Sequence, residues 1–466
     1  MNESQATQIV ILGGSGDLAK RKLIPALLDL YVHRKLPDVF SVIGLARTPR
    51  SDEEYRQFVN DSLTAHEHGH SQEDISAFCS RVSYISGSFD DPQSYQTLKT
   101  SLDSFSDSQN VCTNRLFYLA VPPQYYETIF EYIHQTGLAE NCSDGEGWAR
   151  ILVEKPFGHD LETAQKLDQK LSSLFTEDQI FRIDHYLAKE AVQNILSFRF
   201  ANTLLRSPWN KEHVKEVRIT MHEDIDVQDR GNFYDGIGAL RDVGQNHLLQ
   251  LLALITMDEP QEFTAKNIRK NRAEILSALI PFTDQTIQTQ LQRAQYEGYT
   301  NTTGVDENST TETFFALTAY LDTETWQGVP FHIEAGKGMA EKKVSIEIVF
   351  NDVASGLFET DSCHTIQNKV VLQISPEQSM HITLNAKMPG TGYQMESRTL
   401  SFDCDKSTLE ISAYEKVLLD CISGDQTLFT QTEEVLASWK FITSILERWG
   451  DQELHIYPKG SKTPVQ

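Results

Sequence analysis

The stretch VILGGSGDLAKRKLIPALLDLY, residues 10–31, runs from an apolar segment through a glycine-rich turn into a partly basic, amphipathic segment. A strand that leads into Gly14-x-Gly16-x-x-Ala19 and then into a helix fits the G-x-G-x-x-G/A pattern of dinucleotide-binding folds. Glycines lack Cβ atoms, so the backbone can turn tightly and approach a pyrophosphate, whose charge then lies on free N–H groups. The pattern predicts a dinucleotide site at residues Gly13, Gly14, Ser15, Gly16, Asp17 and Leu18.

The residues at the end of the second expected strand indicate whether the dinucleotide is NAD or NADP. An NAD site usually places an acidic residue there, which binds the ribose 2′-hydroxyl. The segment GLARTPR, residues 44–50, instead supplies Arg47, Thr48 and Arg50 and no carboxylate. We therefore predict NADP as the cofactor, with Arg47 at its 2′-phosphate. A purely structural glycine turn is the alternative, which the parallel-sheet pattern that follows disfavours.

The spacing of apolar residues differs between the first and the later part of the chain. In the first third, continuous apolar runs alternate with amphipathic helices such as 161–175, which indicates a parallel sheet covered on both faces. These runs are QIVIL (8–12), FSVIGLA (40–46), RLFYLAV (115–121) and RILVE (150–154). From about residue 213 the segments VKEVRITMHE, TFFALTAYL, KVSIEIVF and SMHITL alternate apolar and polar positions, which indicates a large, mostly antiparallel sheet. We expect an α/β Rossmann-type domain at 1–178 and an α+β domain at 179–466, with helices at 241–257 and 433–449.

Composition and charge exclude several classes of protein. With 39% hydrophobic and 23% charged residues, the 466-residue chain is typical of a globular protein of two or three domains. A net charge of −25 argues against binding to nucleic acid or to an anionic membrane. The six cysteines form no C-x-x-C pair, and the first residues, MNESQATQ, lack the pattern of a signal peptide. We expect free thiols, no membrane span and a cytoplasmic location.

Four segments concentrate Lys, Asp and His between apolar neighbours: VEKPFGHD (153–160), FRIDHYLAKE (181–190), GALRDVGQNHLLQ (238–250) and EAGKGMAEKK (334–343). In DHYLAK, His185 and Lys189 are four residues apart. They share one face if this segment is a helix, and both could then bind one anion. Taken singly, each segment could also be solvated surface charge.

The segment HEHGH, residues 66–70, alternates three histidines and so suggests a metal site. It lies in a polar stretch without cysteine, and alternate spacing on a helix directs successive rings to different sides. We expect a solvated loop or helix end here and predict no metal cofactor.

In this order, the segments resemble the glucose-6-phosphate dehydrogenase family over nearly the whole chain, from GGSGDLAKRKLIP to HIYPKGSKTP. RIDHYLAKE is similar to the family signature R-I-D-H-Y-L-G-K-E, with Ala188 in place of the glycine. EKPFG, RDVGQNHLLQ, YLAVPP, VPFHIEAGK and AYEKVLLD resemble further family stretches. The resemblance implies oxidation of D-glucose 6-phosphate at C1 to 6-phospho-D-glucono-1,5-lactone by NADP, the first step of the oxidative pentose phosphate pathway. It also implies a homodimer or homotetramer joined through the large sheet.

The resemblance also assigns roles to individual residues. It implies that His247 is the catalytic base and Asp184 its partner, since an imidazole can take the C1 hydroxyl proton while a carboxylate orients the ring. It implies that Lys155 lies between cofactor and substrate, followed by a cis peptide bond at Pro156. The implied substrate ligands are His185, Tyr186 and Lys189 for the phosphate, Glu223 and Asp242 for the hydroxyls, and Lys337 and Lys342 for the far side of the sugar phosphate. A buried structural role for His247 is the alternative.

Several positions depart from the family pattern. Glu334 and Glu347 stand where some members carry the basic residues of a second NADP site, so we expect no second site. Ser375 stands where many members have a glutamine. Lys342 replaces the arginine of some relatives, which keeps the positive charge but loses the fork geometry of the guanidinium. Two other functions therefore stay open: a related dehydrogenase for a different sugar or sugar phosphate, and a non-catalytic binding or regulatory relative.

Overall fold

The computed structural model describes residues 5–65, 69–140, 147–352, 367–391, 395–403 and 411–464. The chain forms two compact units. The first unit comprises Met1–Gly158, Glu162–Ala188 and Ile411–Thr432, and the second comprises His159–Leu161, Lys189–Glu410 and Glu433–Gln466.

The strands of the described residues are β1 (Thr7–Leu12), β2 (Phe40–Ala46), β3 (Val82–Ser86), β4 (Asn114–Leu119), β5 (Ala149–Val153), β6 (Ile180–Ile183), β7 (Val214–His222), β8 (Leu291–Tyr296), β9 (Phe314–Ala319), β10 (Phe331–Gly336), β11 (Lys343–Phe350), β12 (Lys369–Ser375), β13 (Ser379–Lys387), β14 (Met395–Asp403), β15 (Phe429–Thr430) and β16 (Leu454–Tyr457).

The α-helices of the described residues are α1 (Ile24–Val32), α2 (Asp52–Ala65), α3 (Gln72–Cys79), α4 (Pro92–Gln109), α5 (Tyr126–Gln135), α6 (Leu161–Leu174), α7 (Glu190–Phe200), α8 (Thr203–Arg206), α9 (Gly231–Tyr234), α10 (Leu249–Thr256), α11 (Ala265–Ser277), α12 (Ile287–Gln290), α13 (Ala413–Ser423) and α14 (Thr432–Leu446). Short 3₁₀ turns occur at Pro123–Tyr125, Glu177–Gln179, Gln228–Arg230, Tyr299–Asn301 and Trp449–Asp451. Residues Ala19–Leu23, ahead of α1, and Leu240–Leu248, ahead of α10, wind as π-helices.

The first unit is built on a seven-stranded sheet in the order β15-β6-β5-β4-β1-β2-β3. Strands β1 to β6 are parallel, and β15 joins the edge antiparallel to β6. Every residue of β1 is buried, as a strand covered on both faces requires. The strand order reverses between β1 and β4, and in such folds ligands bind in the crevice beyond the carboxyl ends at this point. The expected Rossmann-type fold is confirmed.

A late segment of the chain completes this first unit. Its helix α13 packs against α1, and its strand β15 extends the sheet. The Arg150 guanidinium donates to the carbonyl groups of Cys421 and Ile422, at 2.6 and 2.8 Å. The domain limits expected from sequence, 1–178 and 179–466, do not include this return, because helical periodicity does not show which sheet a helix covers.

The second unit is built on a nine-stranded sheet in the order β14-β13-β12-β11-β7-β10-β9-β8-β16. Neighbouring strands are antiparallel except for the parallel pairs β10–β7 and β16–β8. The expected large, mostly antiparallel sheet is confirmed.

The apolar face of this sheet is covered at its centre and open at one edge. Val217, Ile219 and Met221 of β7 are buried, as their alternation predicts. In β13, however, Leu384 is 45% exposed, and the edge strand β14 exposes Leu400. The pattern of SMHITL therefore predicts the strand correctly, but the expected covering of its apolar face is incomplete in the single chain.

Two of the three expected helices are continuous. The segments 161–175 and 433–449 form α6 and α14. The segment 241–257 is helical but divided, since its first part winds as a π-helix and only its second part is α-helix α10. All residues of α10 are buried, so the expected buried helix is confirmed for this part.

The cysteines differ from expectation at one position. Cys79 and Cys421 are free and buried, whereas Cys112 is disulfide-bonded. The expectation of free thiols is therefore wrong for Cys112.

The histidine tract is described only at its end. His66 and His68 lie outside the described residues, and the Nε2 of His70 lies 2.5 Å from Asp29 Oδ1. None of the described helices has the length and hydropathy needed to cross a bilayer.

Candidate active site

The glycine turn follows β1 and packs closely on neighbouring backbone. Gly13 has a φ of +94°, and a Cβ there would lie 2.3 Å from the carbonyl oxygen of Ala120. A Cβ on Gly14 would lie 2.6 Å from the Cα of Gly44 in β2. These two glycines are therefore required by the packing of the turn. Gly16 is different, because it is exposed and a Cβ there would meet only the Gly13 carbonyl, at 3.1 Å.

The remaining residues of the predicted phosphate site lie on the open side of this turn. Ser15 and Leu18 are half-buried, and Asp17 is exposed and pairs with Arg21 at 2.7 Å. Because Gly16 carries no side chain, a pyrophosphate can approach the exposed backbone here. The residues present fit a dinucleotide.

The two arginines after β2 differ in their surroundings. Arg47 is exposed directly after the strand. The Arg50 guanidinium instead lies over the Phe58 ring, 4.4 Å from its centroid, and the backbone N–H of Arg50 donates to the Ser86 hydroxyl at 3.0 Å. Arg47 is therefore the better placed of the two for a phosphate that arrives from solvent.

A carboxylate whose side chain is only 12% exposed follows β5. Glu154 accepts a hydrogen bond from the Tyr118 hydroxyl at 2.5 Å, and its Oε1 lies 3.1 Å from the Nε2 of His185. Burial raises the pKa of Glu154, but His185, Tyr118 and Lys155 together outweigh it and lower the pKa below the usual value. The His185 ring packs on the ring of Tyr414, with centroids 4.2 Å apart.

Sequence reasoning did not assign a role to Glu154 or Tyr118. The signal available was the position of Glu154 directly after a buried strand, next to Lys155. The Lys155–Pro156 peptide bond is cis, as the resemblance implies.

The segment DHYLAK is not a helix. Asp184 follows β6 and is 3% exposed, and its Oδ1 accepts the N–H of Tyr186 at 2.9 Å. Residues 185–188 form a turn, and α7 begins only after Lys189. The helical interpretation is therefore wrong, because the Asp184 carboxylate bonds the backbone two residues on and favours a turn. His185 and Lys189 do not share a helical face.

Three of the predicted sugar ligands meet in the second unit. Glu223 follows β7 and Lys337 follows β10, and this pair of strands is parallel, so both residues lie at the same edge of the sheet. The Lys337 Nζ forms an ion pair with Glu223 and lies 3.6 Å from Asp242 Oδ2. Its side chain is 12% exposed and lies over the ring of Tyr234, 5.3 Å from the centroid. Sequence reasoning missed Tyr234.

The π-helix Leu240–Leu248 carries both Asp242 and His247. An α-helix would direct residues five apart to different sides, whereas i→i+5 hydrogen bonding stacks them on the same face. His247 is 4% exposed, and the amide of Asn246 donates to the Asp242 carbonyl at 3.0 Å. The unusual winding is therefore what places two predicted site residues in line, and helical periodicity could not have predicted it.

In the first unit, the Tyr186 N–H bonds to Asp184, and His185 and Lys155 both lie near Glu154. Lys342 is exposed ahead of β11, and Lys155 and Lys189 are half-buried. Asp184 belongs to the first unit and His247 to the second, and their pairing stays a prediction.

Models of one protein family match almost the whole chain. The model "Glucose-6-phosphate dehydrogenase, NAD binding domain" matches residues 10–194, and "Glucose-6-phosphate dehydrogenase, C-terminal domain" matches residues 196–466. The chain belongs to the glucose-6-phosphate dehydrogenase family. Its first unit therefore contains the NAD-binding domain of that family, which agrees with the glycine turn.

Individual relatives agree over the full length. Glucose-6-phosphate 1-dehydrogenase of Chlamydia muridarum is 38% identical, over 95% of this chain and 90% of the relative. That of Bacillus subtilis is 37% identical, over 100% and 96%. Among solved structures, a glucose-6-phosphate dehydrogenase in complex with its substrate glucose-6-phosphate superposes with a TM-score of 0.91 at 35% identity, over 100% of this chain and 96% of the other. The family fold is therefore shared throughout both units.

The positions that depart from the family pattern make ion pairs on the second sheet. Glu334 Oε1 lies 3.0 Å from the Nε2 of His222. Glu347 lies 2.9 Å from the Nζ of Lys369 and 3.7 Å from Arg218. Both carboxylates add negative charge to this face of the sheet.

Proposed function

We propose that this chain oxidises D-glucose 6-phosphate at C1 to 6-phospho-D-glucono-1,5-lactone with reduction of NADP. The observation that carries the proposal is the contact of Lys337 and Glu223, at the ends of two parallel strands, with Asp242 of the π-helix. Carboxylates accept hydrogen bonds from sugar hydroxyls, and an ammonium donates to sugar or phosphate oxygens. A polyhydroxylated anion therefore suits this group.

The chain's own residues would divide the chemistry between them. His247 takes the proton of the C1 hydroxyl as general base, and Asp184 orients its ring and stabilises the imidazolium that forms. NADP, when bound by the glycine turn and Arg47, would supply the acceptor for the hydride that leaves C1. Lys155 contacts both cofactor and substrate.

The substrate is held at two ends. His185, Tyr186 and Lys189 bind the 6-phosphate, since an ammonium and an imidazole form charge-assisted hydrogen bonds to phosphate oxygens. Glu223 and Asp242 accept from the sugar hydroxyls. Lys337 and Lys342 bind the far side of the sugar phosphate.

NADP rather than NAD is the cofactor we propose. The support is the exposed Arg47 at the end of β2, in a segment without a carboxylate to bind a free 2′-hydroxyl. The glycine turn from Gly13 to Leu18 binds the pyrophosphate. A cytoplasmic location is part of the same proposal.

A second candidate function is a related dehydrogenase for another sugar or sugar phosphate. The observation that favours it is Ala188, which fills a glycine position of the family signature and is 4% exposed. A methyl group buried beside the predicted phosphate ligands could change which substrate fits.

One assay separates these functions. Absorbance at 340 nm would follow nicotinamide reduction over a panel of sugar phosphates and free sugars, each with NADP and with NAD. We expect the highest kcat/KM for glucose 6-phosphate with NADP. A signal only with another sugar would favour the second candidate, and no signal with any would indicate a non-catalytic relative.

We also propose that the protein forms a homodimer, with a homotetramer as its further assembly. The support is the apolar face of β13 and β14, where Ile382 pairs with Leu400 and Met380 with Phe402 across the strands. Leu400 and Phe402 are 51% and 55% exposed in the single chain. Exposed apolar patches of this kind are typical of protein–protein contacts.

A further inference from the structure

A buried carboxylate outside the proposed site contacts the helix that carries two of its residues. Glu312 lies just ahead of β9 and is 3% exposed. Its Oε1 accepts the N–H of Leu240 at 2.9 Å. Leu240 is the first residue of the π-helix that contains Asp242 and His247. Glu312 therefore holds the amino end of this helix.

The approach of the helix to Glu312 depends on a glycine. Gly238 has a φ of +75°, and a Cβ there would lie 2.2 Å from the Oε1 of Glu312. The Glu312 backbone carbonyl accepts the N–H of Ala239 at 3.2 Å and lies 3.4 Å from the Tyr234 hydroxyl, which donates to it. The chain that enters the helix is thus bonded to Glu312 through both side chain and backbone.

Thr313, the residue after Glu312, bonds to the backbone of a second residue of the proposed site. The carbonyl of Thr313 accepts the N–H of Lys337 at 2.9 Å. Lys337 in turn lies 3.6 Å from Asp242. Residues 312 and 313 therefore connect the backbone of Lys337 to the helix of Asp242.

The charges around the Glu312 carboxylate are identifiable. Arg241 of the π-helix and Arg293 of β8 face it with positive charge, and Tyr234 faces it with a neutral hydroxyl. Burial raises the pKa of Glu312 to about 7, although the Leu240 N–H and the two guanidinium groups oppose this. The carboxylate is therefore ionised at pH 8.5 and protonated at pH 5.5.

We infer that Glu312 is a positioning residue for the proposed reaction: its ionised carboxylate fixes Asp242 and His247 relative to Lys337, and its protonation loosens this arrangement. The inference rests on the proposed function for its link to catalysis. Hydrogen bonds to an ionised acceptor are about twice as strong as neutral ones, and negative charge is favoured at a helix amino end. Because small displacements of catalytic groups lower rates strongly, we expect a change in kcat of about tenfold.

The direction in which the charge of Glu312 changes the folding stability distinguishes a positioning role from a packing role. When folding raises the pKa of a carboxyl group, the protonated group stabilises the folded protein. This stabilisation is complete at pH values below the pKa in the unfolded chain. It is lost as the pH rises through the pKa in the folded protein. At pH 8.5 the charge of Glu312 therefore costs stability. Glu312→Gln removes this cost while leaving an oxygen that can accept from Leu240, so the variant should fold.

The test compares Glu312→Gln with Glu307→Gln, the same change at an exposed carboxylate five residues away. For Glu312→Gln we expect kcat for glucose 6-phosphate about tenfold below the unmodified enzyme at pH 8.5, with no lower melting temperature. The ratio of the two kcat values should approach one at pH 5.5, and the ionisation of the catalytic base cancels in this ratio. Glu307→Gln should match the unmodified enzyme throughout. A ratio that is constant with pH, or a loss of activity that follows a loss of stability, would overturn the inference.

A second measurement needs neither the variant nor the activity. Hydrogen exchange of the full unmodified chain, corrected for intrinsic rates, is measured at pH 5.5 and 8.5 over residues 238–248. We expect several-fold faster corrected exchange at the lower pH in these residues and not in α10. Equal rates, or slower exchange at the lower pH, would overturn the inference. If this change occurs in a protein that does not oxidise glucose 6-phosphate, the proposed function fails while the Glu312 contact stands.

Discussion

Lys337 is held between two carboxylates, Glu223 and Asp242, over the ring of Tyr234. A nearly buried ammonium requires such partners, because an unpaired buried charge is costly. The same arrangement leaves carboxylate lone pairs directed at whatever binds beside Lys337. At the scale of single residues, the stability of this group and its proposed affinity for a sugar therefore have the same electrostatic origin.

His247→Asn tests the proposed base. We expect kcat to fall by about 10²–10⁴, the usual contribution of a positioned base, while glucose 6-phosphate binding and the melting temperature change little. Steady-state kinetics, calorimetric binding and thermal melting measure these three quantities. His213→Asn, at an exposed histidine of the same unit, is the matched control. Early unfolding, or more than about a tenth of the original kcat, would make His247 a packing residue, and His185 would be the next candidate for the base.

Arg47→Ala tests the cofactor. A charge-assisted contact to the 2′-phosphate contributes about 1.5–3 kcal/mol, so KM for NADP should rise roughly 10- to 150-fold while KM for NAD stays nearly constant. Initial rates with each cofactor give both values. Arg50→Ala removes a guanidinium that lies over Phe58 and should affect the two cofactors equally. If Arg47→Ala weakens both cofactors alike, the NADP assignment is wrong.

At the scale of elements, the glycine turn and the π-helix both depend on backbone geometry. In the turn, Gly13 and Gly14 are required by neighbouring backbone, while Gly16 faces solvent. In the π-helix, Gly244 is constrained by a side chain instead, since a Cβ there would lie 2.9 Å from the Phe315 ring. Glycine therefore allows close packing at some positions and the approach of a ligand at others. A sequence motif does not show which of these a given glycine provides.

Gly13→Ala and Gly16→Ala separate packing from access in the turn. Gly13→Ala forces a side chain into a positive-φ position against the Ala120 carbonyl, and should lower the free energy of unfolding by about 2–3 kcal/mol. Gly16→Ala should change stability by less than about 1 kcal/mol but raise KM for NADP, because its methyl group would project where the pyrophosphate approaches. Denaturant titration and initial rates measure the two effects. If Gly16→Ala leaves KM unchanged, the turn does not bind phosphate.

At the scale of the whole molecule, each sheet is completed by a distant part of the chain. Strand β15 joins the first sheet beside β6, and β16 joins the second beside β8. A fully buried ion pair between Arg272 and Glu434, with N and O atoms 2.9 Å apart, connects α11 to α14. These long-range pairings explain why neither unit is a continuous segment of sequence.

Leu400→Glu tests the proposed self-association. A carboxylate placed among Ile382, Phe402 and their neighbours would remain charged in an apolar contact, so we expect dimers to dissociate to monomers at micromolar concentration. Light scattering after size-exclusion chromatography measures the mass. Thr399→Glu puts the same charge on the opposite side of β14 and is the control, because adjacent strand residues face opposite ways. A monomeric unmodified protein, or a Leu400→Glu dimer, would contradict the proposal.

The positions of half of the strands in the described residues, eight of sixteen, follow from hydrophobic period alone. The runs at 8–12, 40–46, 115–121 and 150–154 all lie in parallel strands, and the alternating segments all lie in the second sheet. This succeeds because burial on one face or both is a local consequence of side-chain chemistry. The family resemblance likewise rests on local peptides, and the family models match the same chain.

The sequence by itself determined the fold class and the glycine turn, and it supplied the candidate residues for the chemistry. Only the tertiary structure decided which of those residues meet, because Glu223 and Lys337 are neighbours through a parallel strand pair that joins distant parts of the chain. Only it showed the π-helical winding of Asp242 and His247, the turn at 185–188, the small exposure of Glu154 and the burial of Glu312. The hydrophobic pattern of a segment predicts which of its own side chains are buried. The partners of a buried charge are set by contacts between segments far apart in sequence, which no local pattern contains.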